Sequence, residues 1–185
     1  AEDGADCLLA DIRDVEAENI PDFDILLAGF PCQPFSNAGK RKGVNDANGR
    51  GTLSAECERI IRCKIENGHR PQAFVFENVR GILSSKMPDG ETSVPQEIIN
   101  RMHKLGYQVS MQLVCASDYG VPQKRYRVLI VGVDEQLGLG AFDFEAMRHV
   151  VEQKNIPSEH FGKKEELLLG RILQGVENVS DNEVW

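Results

Sequence analysis

Short apolar runs alternate with amphipathic stretches along the first two thirds of the chain. Residues 24–29 and 73–76 contain apolar runs, and each run predicts a strand buried on both faces, as parallel strands are. Between them, residues 53–67 carry apolar side chains at helical spacing and stop before Gly68, which is typical of a helix end. The order strand, helix, strand predicts a β-α-β unit in which the helix forms the crossover.

The pattern continues, more weakly, toward the C-terminus. A second helix is predicted over residues 95–105, and two more strands over residues 107–114 and 127–133, separated by a turn that contains glycine and proline. Strands that alternate with helices predict an α/β sheet with flanking helices. Ligands bind such sheets beyond the carboxyl ends of the strands, so residues that follow strands are the candidates for a site.

A chain of 185 residues with 41% hydrophobic residues suits one globular core. Residues 1–133 form the predicted core, and residues 134–185, with one more helix over residues 144–151, form a C-terminal extension. No run of about 18 apolar residues is present, and the first residues are acidic, so neither a membrane span nor a signal peptide is predicted. We therefore expect a soluble, cytoplasmic protein.

The cysteines and the charges narrow the chemistry further. Five cysteines without a C-x-x-C pair argue against a disulfide framework and a zinc site, so no metal is predicted and most cysteines are expected to be buried. A net charge of −8 argues against a surface that grips nucleic acid all over. Residues 36–52 are the exception, since they carry four basic residues and one acidic residue. This segment is either a solvated basic loop or a phosphate-binding one.

Cys32 lies between Pro31 and Pro34, directly after the first predicted strand. Proline fixes φ and lacks an N–H, so the chain leaves the sheet along a rigid path that presents Cys32 at the mouth of the site. A nucleophilic thiol also needs a positive or hydrogen-bonding environment, which the basic residues near positions 40 and 125 can supply. The alternative is a loop cysteine without a role.

Two further polar groups are predicted in the same crevice. Glu77 and Asn78 follow the second strand, and a carboxyl group shielded from water there can donate a proton to a ring nitrogen. Alternation along the last strand puts Gln123, Arg125 and Arg127 on one side, where they need partners such as Glu77, a base edge or a phosphate. The alternatives are that Glu77 and Asn78 cap a turn and that the last strand is an edge guarded by charge.

At this point a family resemblance is apparent. The segments GFPCQPFS, FENV and QKRYR, in this order after successive strands, resemble the cysteine, glutamate and arginine motifs of the cytosine-5 DNA methyltransferases. RGTL at residues 50–53 resembles the segment that closes the family's catalytic loop, and Ala10-Asp11-Ile12 resembles its cofactor-contacting motif. The resemblance covers residues 6–133. It implies a Rossmann-like, S-adenosylmethionine-dependent methyltransferase sheet, incomplete at both ends.

The resemblance also implies a mechanism. Cys32 would add to carbon 6 of a cytosine, Glu77 would bind ring nitrogen 3, and Arg127, with Arg125 behind it, would hold the base oxygen and orient Glu77. Asn78 belongs to the same catalytic set. S-adenosylmethionine would donate the methyl group to carbon 5. The residues expected at this cofactor are Asp11, Ile12, Pro31 and Leu53.

Double-stranded DNA is the implied partner, as in a bacterial restriction-modification system. The target base must be flipped out of the duplex, and the basic segment that follows Cys32 is the expected lid. The residues expected at DNA are Gln33, Ser36, Lys40, Arg41, Lys42, Arg50 and Gln123. A tRNA cytosine remains an alternative substrate.

Some segments that this family usually has do not appear among the 185 residues. The glycine-rich cofactor loop with its strand and the target-recognition domain have no counterpart here, and small residues at positions 54 and 55 replace a pair of bulky aromatics. We expect the chain to be part of a longer enzyme. Two alternatives stay open: a split methyltransferase completed by a second polypeptide, and a binding module without activity. In the family sheet the first strand lies beside the strand ending at Gly29, so without it an exposed apolar edge is expected there.

Overall fold

The computed structural model describes residues 9–31, 53–87, 89–119, 121 and 123–153. Within these residues one four-stranded sheet has three helices beside it. The strands are β1 (Ile25–Ala28), β2 (Ala73–Val79), β3 (Tyr107–Cys115) and β4 (Tyr126–Asp134), and the helices are α1 (Leu53–Glu66), α2 (Val94–Lys104) and α3 (Phe144–Gln153). Short 3-10 turns cover Ile12–Asp14, Ala17–Asn19, Arg80–Ser84, Ala116–Tyr119 and Glu135–Leu137.

All three predicted helices are present, and their bounds differ little from those read from the sequence. α1 stops shortly before Gly68, whose φ of 82° lies in the left-handed region that favours glycine. α2 is capped by Ser93, whose side chain accepts a hydrogen bond from the Gln96 N–H. In the part of the chain that the structure describes, no helix is long and apolar enough to cross a membrane.

The sheet is mixed, with the strand order β1-β2-β4-β3. β1 and β2 are parallel and α1 connects them, which confirms the predicted β-α-β unit. β4 runs antiparallel to both β2 and β3. The first residues of β4 therefore lie beside the last residues of β2, and Arg127 pairs with Val79.

The prediction that β1 is buried on both faces is wrong. Ile25 is 56% exposed and Leu27 is 73% exposed, and among the described strands β1 lies at an edge of the sheet. An apolar run shows that a strand can be buried but not which neighbours cover it, so the sequence could not decide this. The expected exposed apolar edge is confirmed.

Two apolar clusters cover the two faces of the sheet. Phe74 and Phe76 of β2 point to the face that packs against α1 and α2, with Val128 and Ile130 beside them. On the opposite face, Phe144 of α3 packs against Val114 and Val131. The boundary at residue 133, between the predicted core and the C-terminal extension, stays a prediction.

Three of the five cysteines fall within the described residues, and all three are buried and unpaired. Cys57 belongs to the main cluster, and burial raises the pKa of its thiol to about 11. Cys63 packs against the turns that precede β1. The expectation that most cysteines are small buried apolar residues is confirmed for these three.

Candidate active site

Glu77 and Arg127 meet on one face of the sheet, near the carboxyl end of β2 and the start of β4. Glu77 pairs with Leu129 and Arg127 pairs with Val79, so the two side chains are diagonal neighbours across β2 and β4. The Glu77 Oε1 and Arg127 Nε atoms are 2.5 Å apart, and the side chains are 44% and 23% exposed, respectively. The carboxylate and the guanidinium predicted to share a crevice are thus adjacent.

Arg127 holds this position through more than one contact. Its Nη1 donates a hydrogen bond of 2.8 Å to the Tyr126 carbonyl. Its Nε is buried and close to Glu77 Oε1, but the N–H does not point along a hydrogen bond to any acceptor among the described residues. The contact with Glu77 is therefore an ion pair by distance without hydrogen-bond alignment.

The prediction that Glu77 and Asn78 follow the strand is wrong, because both lie within β2. β4 supplies backbone partners for β2 as far as Val79, and this long-range pairing extends the strand beyond its apolar run. Sequence signals for strands end with the apolar pattern, so they missed these three residues. Glu77 consequently lies within a strand of the sheet, and pairing with β4 fixes its backbone position.

Asn78 fastens the segment that leads to Cys32. Its side chain is almost fully buried, and its Nδ2 donates a 3.0 Å hydrogen bond to the Phe30 carbonyl. Its Oδ1 accepts from the Val79 N–H at 2.9 Å, which fixes the orientation of the amide. The ring of Phe30 also packs edge-on against Phe76, with centroids 5.7 Å apart. The chain that leaves β1 is therefore held against β2 at Phe30.

Gly29 lies directly beside the carboxylate of Glu77. A Cβ added at Gly29 would come within 3.5 Å of Glu77 Oε2. The ends of β1 and β2 thus meet where the polar groups gather, as expected for the carboxyl ends of parallel strands. Gly29 and Phe30 lie within the segment after the first strand that the sequence marks as a candidate for the site, but sequence reasoning gave neither residue a role of its own.

Seven of the predicted site residues cannot be compared with the structure. They lie outside the described residues: Cys32, Gln33, Ser36, Lys40, Arg41, Lys42 and Arg50.

The prediction that alternation puts Gln123, Arg125 and Arg127 on one side is wrong, because β4 begins only at Tyr126. The Arg125 N–H donates to the Gln123 carbonyl at 2.9 Å, so the chain turns tightly there and does not extend. Both Gln123 and Arg125 are exposed. Gly120 and Pro122, just before them in the sequence, were the signal for this turn. Of the three, Arg127 is the residue that joins Glu77.

Asp11 and Ile12 lie at a short exposed turn. The Asp11 carboxylate accepts hydrogen bonds from the Arg13 backbone N–H at 3.0 Å and from the Arg13 Nε at 2.9 Å. The side-chain hydrogen bond to Arg13 and then the backbone one lower the pKa of Asp11 to about 2, so this group is ionised at neutral pH. Ile12 is partly buried against the cluster of Ala17, Ile60 and Cys63. The turn is thereby attached to α1.

The other two predicted cofactor residues occupy different places. Leu53 is the first residue of α1 and is half-buried, whereas Pro31 is exposed after β1. Ile12 therefore packs against α1, and Leu53 is part of the same helix. Pro31 belongs to the segment that Asn78 fastens.

The geometry agrees with what comparison with known proteins finds. The model of the family "C-5 cytosine-specific DNA methylase" matches residues 6–184, so the chain belongs to this family, as the motifs predict. The chain is 36% identical over 183 residues to the Type II methyltransferase M.HaeII of Haemophilus aegyptius, covering 95% of the chain and 53% of that relative. It is 48% identical over 118 residues to the Type II methyltransferase M.BanI of Aneurinibacillus aneurinilyticus, covering 64% of the chain and 25% of that relative. The chain thus spans between a quarter and about half of these relatives.

A solved structure supports the fold. The methyltransferase EhMeth of Entamoeba histolytica superimposes with a TM-score of 0.50 at 22% identity, covering 70% of this chain and 38% of that one. At this identity the likeness concerns the fold alone. The predicted α/β sheet with flanking helices is confirmed.

Proposed function

We propose that this chain carries the catalytic core of an enzyme that methylates carbon 5 of cytosine in DNA, with Cys32 as the nucleophile. One observation carries the proposal: the Glu77–Arg127 ion pair lies beside the segment that leads to Cys32. An acid and a cation near a cysteine nucleophile are the groups that this chemistry requires. The family and the Type II methyltransferase relatives support DNA as the substrate over tRNA.

The length of the chain limits how far Cys32 can be from these groups. Cys32 is two residues beyond Phe30, whose carbonyl is bonded to Asn78. A residue spans at most about 3.6 Å, so the Cα atoms of Phe30 and Cys32 are within roughly 7 Å. This reach supports a shared crevice for Cys32 and Glu77. It also makes Asn78 a positioning residue for the nucleophile.

Each residue has a distinct task in the proposed reaction. The Cys32 thiolate adds to carbon 6 of a flipped-out cytosine, which pushes electrons toward ring nitrogen 3 and makes carbon 5 nucleophilic. Glu77 donates a proton or a hydrogen bond to that nitrogen. Arg127 orients Glu77 and binds the base oxygen, where negative charge builds up. Loss of the carbon 5 proton and then of Cys32 restores the aromatic ring after methylation.

S-adenosylmethionine would supply the methyl group, as an electrophile on its sulfonium. The described residues fit the adenosine part of this cofactor. Ile12 and Leu53 offer partly exposed apolar surface to an adenine ring. Asp11 is ionised, and because a carboxylate has about four acceptor positions, its contacts with Arg13 leave room for an amino group. Pro31 contributes surface beside the nucleophile.

Duplex DNA is the proposed partner, and the basic segment after Cys32 is the proposed lid that meets its phosphates. Gln33 and the exposed Gln123 are proposed contacts to the DNA. Arg125 is exposed, and its expected role behind Arg127 at the base oxygen stays a prediction. A second polypeptide stays a prediction. The apolar edge of β1 supports it, since such edges bind additional strands.

Trapping the covalent adduct tests the proposal. The full-length protein is incubated with tritiated S-adenosylmethionine and with DNA synthesised with 5-fluorocytosine throughout, because fluorine blocks the final elimination. A denaturation-resistant complex is expected for the wild type and for Cys115→Ala, which removes a buried thiol of β3. It should be lost in Cys32→Ala. An adduct that persists in Cys32→Ala would refute the assignment.

The roles of Glu77 and Arg127 need a rate measurement. Glu77→Gln retains shape and removes the acid, so methyl transfer should fall by about 10²–10⁴-fold while DNA binding is kept. The rate of methyl transfer by Arg127→Lys should fall less than that of Glu77→Gln, because an ammonium retains the positive charge. It should still fall, because an ammonium lacks the planar fork of the guanidinium. Parallel assays on tRNA decide the alternative substrate, since methyl acceptance by tRNA and not by DNA contradicts the proposal.

A further inference from the structure

Arg59 of α1 makes three hydrogen bonds, and two of them reach the turn that carries Ile12. Its Nη2 donates to the Ile12 carbonyl at 3.0 Å and to the Val15 carbonyl at 2.9 Å. Its Nε donates to Glu56 Oε2 at 2.7 Å. One guanidinium thus joins two carbonyls that are 44 and 47 residues away in the chain to a carboxylate of its own helix.

The turn also has hydrogen bonds of its own: the Asp14 N–H donates to the Asp11 carbonyl at 2.9 Å, and the Asp11 carboxylate accepts from Arg13. The segment is a single 3-10 turn over Ile12–Asp14, closed by a Val15 N–H to Ile12 carbonyl bond of 3.3 Å. No residue of the turn is buried, and Ile12 is only partly packed on the Ala17 cluster. These bonds shape the turn but do not tie it to α1, whereas the two charge-assisted hydrogen bonds from Arg59 to the Ile12 and Val15 carbonyls do.

Glu56 holds the guanidinium of Arg59 in place. Its side chain is 19% exposed, against 36% for Arg59, and the pair is spaced i, i+3 on α1. Because the guanidinium is planar and rigid, fixing Nε also fixes the direction of Nη2. The position of the turn is thereby set relative to α1, whose first residue is Leu53.

We propose that Arg59 is a positioning residue for the cofactor, because it holds the Asp11–Ile12 turn against α1 in the orientation that receives the adenosine part of S-adenosylmethionine. The inference rests on the proposed function and deepens it. Neither Arg59 nor Glu56 touches the cofactor in this proposal. Their effect should therefore appear in cofactor affinity and not in the chemical step.

Arg62 provides a matched control on the same helix. It pairs with Glu58 through a 2.6 Å hydrogen bond at i, i+4 spacing, and its side chain is 49% exposed. Both Arg59→Met and Arg62→Met remove one guanidinium and one ion pair of α1 and retain an unbranched stem. They differ in that Arg59 also bonds to the turn.

The experiment measures the affinity of the full-length protein for S-adenosylhomocysteine by titration calorimetry, together with KM for S-adenosylmethionine and kcat. Arg59→Met should raise the dissociation constant and KM by about tenfold with kcat unchanged. Arg59→Lys should recover part of the affinity, because an ammonium can reach one of the two carbonyls. Arg62→Met should leave both constants at the wild-type values.

Four results would overturn the inference. Equal affinity in Arg59→Met and wild type removes the positioning role. An equal loss in Arg62→Met, or a parallel fall in kcat, points to general destabilisation of α1. If the wild type itself binds no S-adenosylhomocysteine, the proposed function fails and this inference fails with it. Amide exchange over residues 12–15 separates the cases, since it should quicken in Arg59→Met whether or not cofactor binds.

Discussion

The β2–β4 pair and strand β1 belong to one sheet but are supported very differently. Phe74, Phe76, Val128 and Ile130 of the central pair are at most 1% exposed, and both strands have neighbours on each side. β1 has a single described neighbour, and Leu27 is 73% exposed. The well-packed pair carries the acid and the guanidinium, whereas the strand at the edge leads to the cysteine.

This difference divides the proposed site into two parts. One part lies on paired, well-packed strands, and the other is held by a few individual contacts. Glu77 and Arg127 inherit their positions from paired backbone and a packed core. The segment after β1 depends on the Asn78 hydrogen bond and on the contact between Phe30 and Phe76. The proposed nucleophile, Cys32, thus follows in sequence the strand that has a single described neighbour.

The largest effect is expected at the residue that serves both regions. Phe76 is 1% exposed, stacks on Phe74 with centroids 4.4 Å apart and supports Phe30. Phe76→Ala should lower the free energy of unfolding by about 4 kcal/mol, because it removes a large buried ring and leaves a cavity. Urea denaturation followed by circular dichroism measures the change. A loss under about 1 kcal/mol would show that the central pair is not tightly packed.

Gly132 tests how closely the central strands pack. A Cβ added there would lie 2.0 Å from Phe74 Cε1, and the Phe74 ring is held by Phe76 and Tyr107. Gly132→Ala should lower the free energy of unfolding by about 3 kcal/mol through overpacking. The double variant Gly132→Ala, Phe74→Leu should recover part of this loss, because the smaller side chain frees space. A double variant less stable than the sum of the single changes would contradict this account.

A smaller effect is expected at Tyr107, which buries a polar group in the core. Its hydroxyl donates a 2.7 Å hydrogen bond to the Pro71 carbonyl, so Tyr107→Phe should cost about 1 kcal/mol at pH 7. Burial raises the pKa of Tyr107 to about 12 from its ordinary value of 10.0. The folded state therefore favours the neutral form, and its stabilisation is present below pH 10 and lost as the pH rises through 12.

The difference in free energy of unfolding between wild type and Tyr107→Phe measures the stabilisation by the neutral Tyr107 hydroxyl, since the other titrating groups are common to both proteins. The difference should shrink, and then reverse in favour of phenylalanine, between pH 10 and pH 12. A difference that is constant across this range would mean that the hydroxyl is not buried.

The smallest effect is expected at the edge. Leu27→Thr replaces an exposed apolar side chain with a β-branched polar one, so the free energy of unfolding should change by less than about 0.5 kcal/mol. The variant should also aggregate less, because an apolar edge binds other strands. Thermal melts and light scattering at the same concentration measure both quantities. A loss comparable to that of Phe76→Ala would mean that the edge is covered in solution.

The sequence by itself determined the local elements and the order of the motifs. The helical spacing over residues 53–67, the run before Gly29 and the segments FPCQP, ENV and QKRYR are short-range signals, so they predicted α1, β1 and the candidate chemistry. The family assignment followed from the same letters.

Only the tertiary structure decided how these pieces meet. The extension of β2 through Val79, the start of β4 at Tyr126 and the diagonal contact of Glu77 with Arg127 depend on strand pairing across about 50 residues of chain. The exposed edge of β1 and the bonds from Arg59 to the Ile12 turn are long-range as well. Periodicity reports which side of an element is apolar, but partners distant in sequence determine what that side and its polar neighbours contact.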